Sequence, residues 1–270
     1  TGTKKATKKV TLIEYPAEQL LREIYTGAVN VNNLPVDLYK QILKKLHDAL
    51  IAGYGNELQH FEMTSSEYKL LKSMSENIEF FSAAKTYQQV RMIANDARMF
   101  SFAEYKINAM TTFNQFNNTW LKTEVATTTG QAQSARKWND IQSSKQLFTM
   151  LRYVAVLDEN TSDICRPLDN IVLPVDDPFW NIHAPLNHYR CRCMFQKISK
   201  YEDVKQTSES KINRVTKKMN NEMQDVFKMN SGREAVVFAE AGRSKHPYFD
   251  VAAKDKALAM RNFNMPTTTR

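Results

Sequence analysis

Seven glycines in 270 residues leave few positions for the left-handed backbone that tight hairpins require, so this chain cannot be built mainly from short strands. Helices are the alternative, and the apolar pattern supplies them. After Pro16, AEQLLREIYTGAV reads as a helix with proline at a tolerated first position. In PVDLYKQILKKLHDALIAGYG, residues Leu38, Ile42, Leu46, Ala49 and Leu50 fall on one stripe, and Gly53 is expected to end it. Thr64 with Glu67, and Ser101 with Glu104, match the capping box, in which hydroxyl and carboxylate satisfy each other's backbone amides at a helix start. The long stretches after each box have helical patterning and no interior proline, with a break expected near Asn117 and Asn118. Trp120 and Trp138 read as core or docking residues, because large aromatics at helical spacing bury area more often than they hold a cofactor.

At Leu151 the texture changes. LRYVAVLDENTSD is β-prone and ends in a turn, and the following stretch to Cys193 holds half of the prolines and all three cysteines. From Tyr201 a helical stripe returns with Ile212, Val215, Met219, Met223, Val226 and Phe227, stopping at Asn230, Ser231 and Gly232, and AVVFAEAG is expected as a late strand. The predicted organisation is a flexible basic arm at 1–15, a helical region at 16–150 and a β-rich module at 151–200. A C-terminal helix and return segment at 201–264 packs on that module, and a tail closes the chain at 265–270. The fold class is α+β, predominantly helical, with a small antiparallel β module carrying the Cys/Pro-rich motif.

A net charge of +8 predicts affinity for polyanions such as double-stranded DNA, non-specific and carried by phosphate contacts. Lys4, Lys5, Lys8 and Lys9 carry four of those charges, so the folded body is only moderately basic. No apolar run approaches the roughly 18 residues of a membrane span, which argues against a membrane partner, and no secretory leader is evident. Three cysteines without an export signal suggest a reducing compartment, where free thiols or a metal are favoured over disulfides.

The segment NHYRCRCMFQ poses the chemical question. As a strand, CRCMFQKI would turn Cys191, Cys193 and Phe195 to one face and Arg192 to the other. Next-but-one β-carbons lie roughly 6.5 Å apart against the about 3.8 Å of a disulfide, so the two thiols should not bond each other. Cys165, arriving on the short turn SDICRPLDN, and His183 complete a set of three sulfurs and one imidazole that suits zinc. C-x-C is a poorer chelate than C-x-x-C, which favours thiols buried as small hydrophobes, and hence no cofactor, over the metal. A nucleophile built from Cys191 with His183 or His188 lacks an evident orienting group or oxyanion pocket. No phosphate-binding glycine loop is present. His47 and His60 read as packed or solvated, and His246 as part of an ordered loop.

The run LDENTSDICRPLDNIVLPVDDPFWNIHAPLNHYRCRC, with the upstream stretch NTWLKTEVATTTGQAQSARKW, resembles the signature of the phage Mu F-like family of minor head, or head morphogenesis, proteins. Asn170 stands where that family usually has glycine, and Lys122 where arginine is common. The resemblance implies that Asp158 and Thr161 fix the turn after the first strand and that Asp169 and Asn170 close the cysteine turn. It also implies that Pro174, Pro185 and Asn187 shape the connector, while Arg192 faces away from the thiols towards a carboxylate or a partner. The function it implies is that of a minor capsid protein of a tailed bacteriophage, not an enzyme, docked at the portal vertex among portal and capsid proteins and contacting packaged DNA. It would reside in the virion head, and in the host cytoplasm during assembly. Two alternatives stand beside it: a zinc-stabilised nucleic-acid-binding module, and a virion-packaged enzyme that would lose activity in Cys191→Ala without losing its fold.

Overall fold

The computed structural model describes residues 12–55, 63–95, 97 and 99–266. Lys4, Lys5, Lys8, Lys9 and His60 lie outside the described residues. The architecture is α+β and mainly helical, with one small antiparallel sheet. The described residues form two compact units, one drawn from the ranges 12–45, 82–124 and 253–266, the other from 46–81 and 125–252. The helical region expected over 16–150 thus contributes to both.

In the first unit, α1 (Ala17–Thr26) follows Pro16, buries Leu20, Leu21 and Ile24, and ends at Gly27, whose φ of 82° supplies the left-handed cap. Helix α2 (Val36–Tyr54) begins here and buries the expected stripe of Leu38, Ile42, Leu46, Ala49 and Leu50. Helix α3 (Ser65–Ala94) is 30 residues long and starts at the Thr64/Glu67 capping box; α4 (Phe102–Asn114) starts at the Ser101/Glu104 box. The break expected near Asn117 and Asn118 is a π-helical stretch, Gln115–Trp120, after which α5 (Leu121–Ser144) continues. In that stretch the Leu121 N–H reaches back to the Phe116 carbonyl.

One side chain of this unit runs against the usual rule for burial. Lys85 is fully buried, on the same stripe of α3 as Met74, Ile78 and Phe81. Its Nζ donates to Glu124 Oε1 at 3.0 Å and to the Phe116 carbonyl at 2.9 Å. Desolvation drives the Lys85 pKa down, and the Glu124 carboxylate pulls the other way. The carbonyl at the π-helical stretch therefore accepts from both a backbone amide and an ammonium.

In the second unit, Gly53 does not end α2. The helix continues to Tyr54, and Gly55, with φ 116°, follows it. Gly53 is needed for contact instead: a β-carbon there would lie 2.3 Å from the Thr129 carbonyl oxygen of α5. The sheet has the order β2-β1-β3, with β1 (Met150–Val154) between β2 (Val172–Pro174) and β3 (Met194–Ile198), all antiparallel. Leu151 opposes Leu173 and Tyr153 opposes Phe195, and all four are buried on one face. On the other face Arg152 Nη1 donates to Gln196 Oε1 at 3.0 Å. That alternation is the period of two expected of a half-buried sheet.

The buried face joins Trp138, Ile141, Leu168, Trp180, Val215, Met219, Met223 and Phe227 in one core, with Cys191 and Cys193 packed against it. Helix α7 (Glu209–Glu222) delivers Val215 and Met219. It begins eight residues later than expected, and Val226 and Phe227 sit on a separate 3-10 turn, Asp225–Phe227. Asn230 opens the short helix α8 (Ser231–Glu234) by accepting the Gly232 and Arg233 amides. Gly232 packs so tightly that a β-carbon would lie 2.4 Å from Trp138 Cβ. AVVFAEAG forms no strand. Asn77 takes the place of a strand partner, with Oδ1 accepting the Val237 and Phe238 amides at 2.9 Å and Nδ2 donating to the Phe238 carbonyl at 2.8 Å. A single buried amide side chain thus satisfies backbone groups that a ladder would otherwise pair.

Candidate functional site

The Cys/Pro segment is braced turn by turn. After β1, the Asp158 amide donates to Thr161 Oγ1 at 2.9 Å, the Asn160 amide to Asp158 Oδ1 at 3.0 Å, and Thr161 Oγ1 to the Val156 carbonyl. The next turn is closed by the Cys165 amide on the Ser162 carbonyl, at 3.1 Å, and runs into the 3-10 turn Arg166–Leu168. Asn170 then takes φ 59°, the left-handed conformation that asparagine tolerates in place of glycine. Asp169 Oδ1 accepts the Ala155 amide at 2.9 Å and so ties the turn back to the first strand.

The proline-bounded connector is held through its carbonyls. Trp180 Nε1, on the helical turn α6 (Trp180–His183), donates to the Pro174 carbonyl at 2.8 Å, and Ser134 of α5 donates to that of Pro185. Asn187 is fully buried and donates from Nδ2 to the Tyr153 hydroxyl at 2.8 Å, which in turn donates to Cys165 Sγ at 3.4 Å. Arg192 points outward and grips Asp158 with both guanidinium nitrogens, at 2.7 and 2.6 Å. That guanidinium holds the Asp158 carboxyl well below the usual carboxylate range.

The hydrogen-bonded strand begins at Met194, so Cys191, Arg192 and Cys193 precede it. The thiols still share a side. Cys165 Sγ and Cys191 Sγ stand 3.6 Å apart, and the donor atoms of Cys165, His188 and Cys191 all lie within 4.8 Å of one another. Cys193 neighbours both sulfurs and borders the same recess. All three cysteines are free thiols.

His183, the imidazole expected beside them, does not join this group. Helical turn α6 places it in the core, 4.6 Å from the Phe179 ring, and burial pushes its pKa down to about 4, so it is a neutral packed histidine. His188 takes its place. The sequence signal was available in the spacing, because H-x-x-C spans one β-turn. The Cys191 amide closes that turn on the His188 carbonyl at 3.1 Å, with Arg190 in the left-handed region at φ 61°.

His188 Nδ1 contacts the Tyr189 carbonyl at 2.8 Å. A carbonyl only accepts, so Nδ1 carries the hydrogen and Nε2 is the basic nitrogen. Hydrogen bonds to Cys165 and Cys191 push the His188 pKa up to about 10. Donors from Cys165 and Cys193, followed by His188, pull the Cys191 thiol down, whereas its two sulfur neighbours push Cys193 up. The recess over the sulfurs is lined by Arg190 and Arg192 among others and encloses about 10 Å³. That is near the minimum that holds one water.

The sequence of this chain resembles those of known proteins. Escherichia phage Mu has a "Putative capsid assembly protein F" that is 34% identical over 71 residues, a stretch covering 26% of this chain and 16% of that protein. No solved structure matches. The model of the family described as "Phage Mu protein F like protein" matches residues 40–196, more than half of the chain and the whole of the braced module from β1 to the thiols, and the chain belongs to that family.

Proposed function

We propose that this chain is a head-assembly protein of a tailed bacteriophage, a minor capsid component that docks at the portal vertex. The observation that carries it is the family match across residues 40–196, reinforced by a relative named as a capsid assembly protein. The chemistry of the module supports a structural part. Polar residues such as Asp169 and Asn187 are spent on bracing its turns and its connector.

In this role the module is a rigid docking piece, and the net charge of +8 draws the chain towards packaged DNA or an acidic protein surface. Among the described residues no helix is long and apolar enough to cross a membrane. Reconstruction of assembled heads, with copurification on portal rings, tests the proposal. Density for this chain at the portal vertex is the expected result, and its absence from both heads and portal rings would overturn it.

A zinc-stabilised nucleic-acid-binding module is the second reading, favoured by the convergence of two thiols and an imidazole. A steep salt dependence of binding to free duplex DNA, with no association with portal rings, would select it over the first.

A further inference from the structure

We propose that Cys165, His188, Cys191 and Cys193 form a structural zinc site. The sulfur-sulfur distance is the first support. At a Zn–S bond of about 2.3 Å, two sulfurs of a tetrahedron stand about 3.8 Å apart, and Cys165 and Cys191 are at 3.6 Å. A disulfide needs about 2.05 Å, and two thiols that merely fill a core have no need of an imidazole between them.

Chain geometry supplies the second. C-x-C alone is a poor chelate, but His188 and Cys191 end one hydrogen-bonded turn and so bite as a C-x-x-C pair does. Cys165 comes from a separate turn, itself closed by Ser162. Cys193, two residues beyond Cys191, borders the same recess and is the candidate for the fourth ligand. Two turns converging on one ion make a closed structural site rather than a catalytic one.

Outer contacts are the third. The Nδ1 hydrogen of His188 is held by the Tyr189 carbonyl, which leaves Nε2 as the ligating nitrogen. Tyr153 donates to Cys165 Sγ and is itself held by Asn187. Three thiolates on a divalent ion leave one net negative charge, and Arg190 lines the recess that would carry it. Binding is an exchange without electron transfer: zinc enters, and the three protons shared among the thiols and the His188 Nε2 leave to solvent. Soft sulfur donors with one imidazole in a tetrahedral set favour zinc over magnesium or calcium.

The site is independent of the assembly role and is tested on the full chain alone. Protein produced with zinc chloride supplied is assayed for metal by mass spectrometry and titrated against a chromophoric chelator. About one equivalent of zinc is expected. His183→Ala should keep it, whereas His188→Ala and Cys165→Ser should bind at least tenfold more weakly. His188→Cys, which restores a fourth sulfur ligand, should recover the equivalent even if His188→Ala folds poorly. Cobalt chloride should give intense sulfur-to-metal charge-transfer absorption in the native chain. Folded protein that takes up neither zinc nor cobalt would overturn the site, as would a Cys165–Cys191 disulfide in the native chain. So would a metal lost with His183 rather than with His188.

Discussion

Two places in this molecule bury polar groups, and they solve the problem in opposite ways. In the first unit the Lys85 ammonium is enclosed with the Glu124 carboxylate and the Phe116 carbonyl, so charge is met by charge inside the protein. In the second unit, thiols and an imidazole converge on a recess of about 10 Å³ and are linked to one another by hydrogen bonds. A buried cluster that is neutralised by its own members is complete, whereas one made of thiols and imidazole has the composition that binds a metal ion. The contrast separates a structural ion pair from a functional candidate without reference to any relative.

The largest effect that would sharpen the contrast is expected at the ion pair. Lys85→Met leaves the Glu124 carboxylate buried without its cation and should cost about 3–5 kcal/mol, measured by urea denaturation, while Lys85→Met with Glu124→Leu should regain most of it. If the single and double variants were equally destabilised, the loss would come from packing and the pair would not be self-contained.

Next in size is Tyr153→Phe. It removes the hydroxyl that accepts from Asn187 and donates to Cys165, leaving a buried amide unsatisfied, and should cost about 1–3 kcal/mol in the same assay. If the thiol cluster holds zinc, the same change should also speed zinc loss to a chelator, since outer-shell changes typically lower metal affinity by about 10–100-fold. Lys85→Met should leave that rate unchanged.

A gain of up to about 1 kcal/mol is expected for Asn170→Gly, because glycine adopts φ 59° without the β-carbon clash. The gain should register as a higher midpoint of unfolding. Loss of the Asn170 contact to Asp169 limits it.

The smallest effect concerns the exposed pair of Arg192 with Asp158, whose side chains are 46% and 40% exposed. Arg192 lowers the folded pKa of Asp158, so the stabilisation is complete above the unfolded carboxylate pKa near 3.9 and is lost as pH falls through the folded value. The difference in unfolding midpoint between the native chain and Asp158→Asn should therefore narrow as pH drops below about 4 and should shrink in high salt.

The range of each interaction decides how far the sequence made it legible. Capping boxes at Thr64/Glu67 and Ser101/Glu104, the α2 stripe and the left-handed Asn170 depend on neighbours within a few residues, and all are readable. The common side of Cys191 and Cys193 was readable from period two, although β3 starts only at Met194. Contacts between distant residues were not. Nothing near Lys85 names Glu124, 39 residues away, although a lysine standing in the stripe of Met74, Ile78 and Phe81 was a signal that it needed a buried partner. Likewise Asn77 holds Phe238 across 161 residues, and it removed the strand expected at AVVFAEAG. The H-x-x-C spacing that favours His188 over His183 was readable, but the left-handed Arg190 that completes its turn was not, since a non-glycine residue does not advertise that conformation.

Zinc K-edge X-ray absorption on the native chain tests most directly whether the thiol cluster is a metal site. The expected spectrum has a first shell of three sulfurs near about 2.3 Å and one nitrogen near about 2.0–2.1 Å, with the nitrogen lost in His188→Ala. A first shell of oxygen and nitrogen alone, or a spectrum unchanged by His188→Ala, would contradict it.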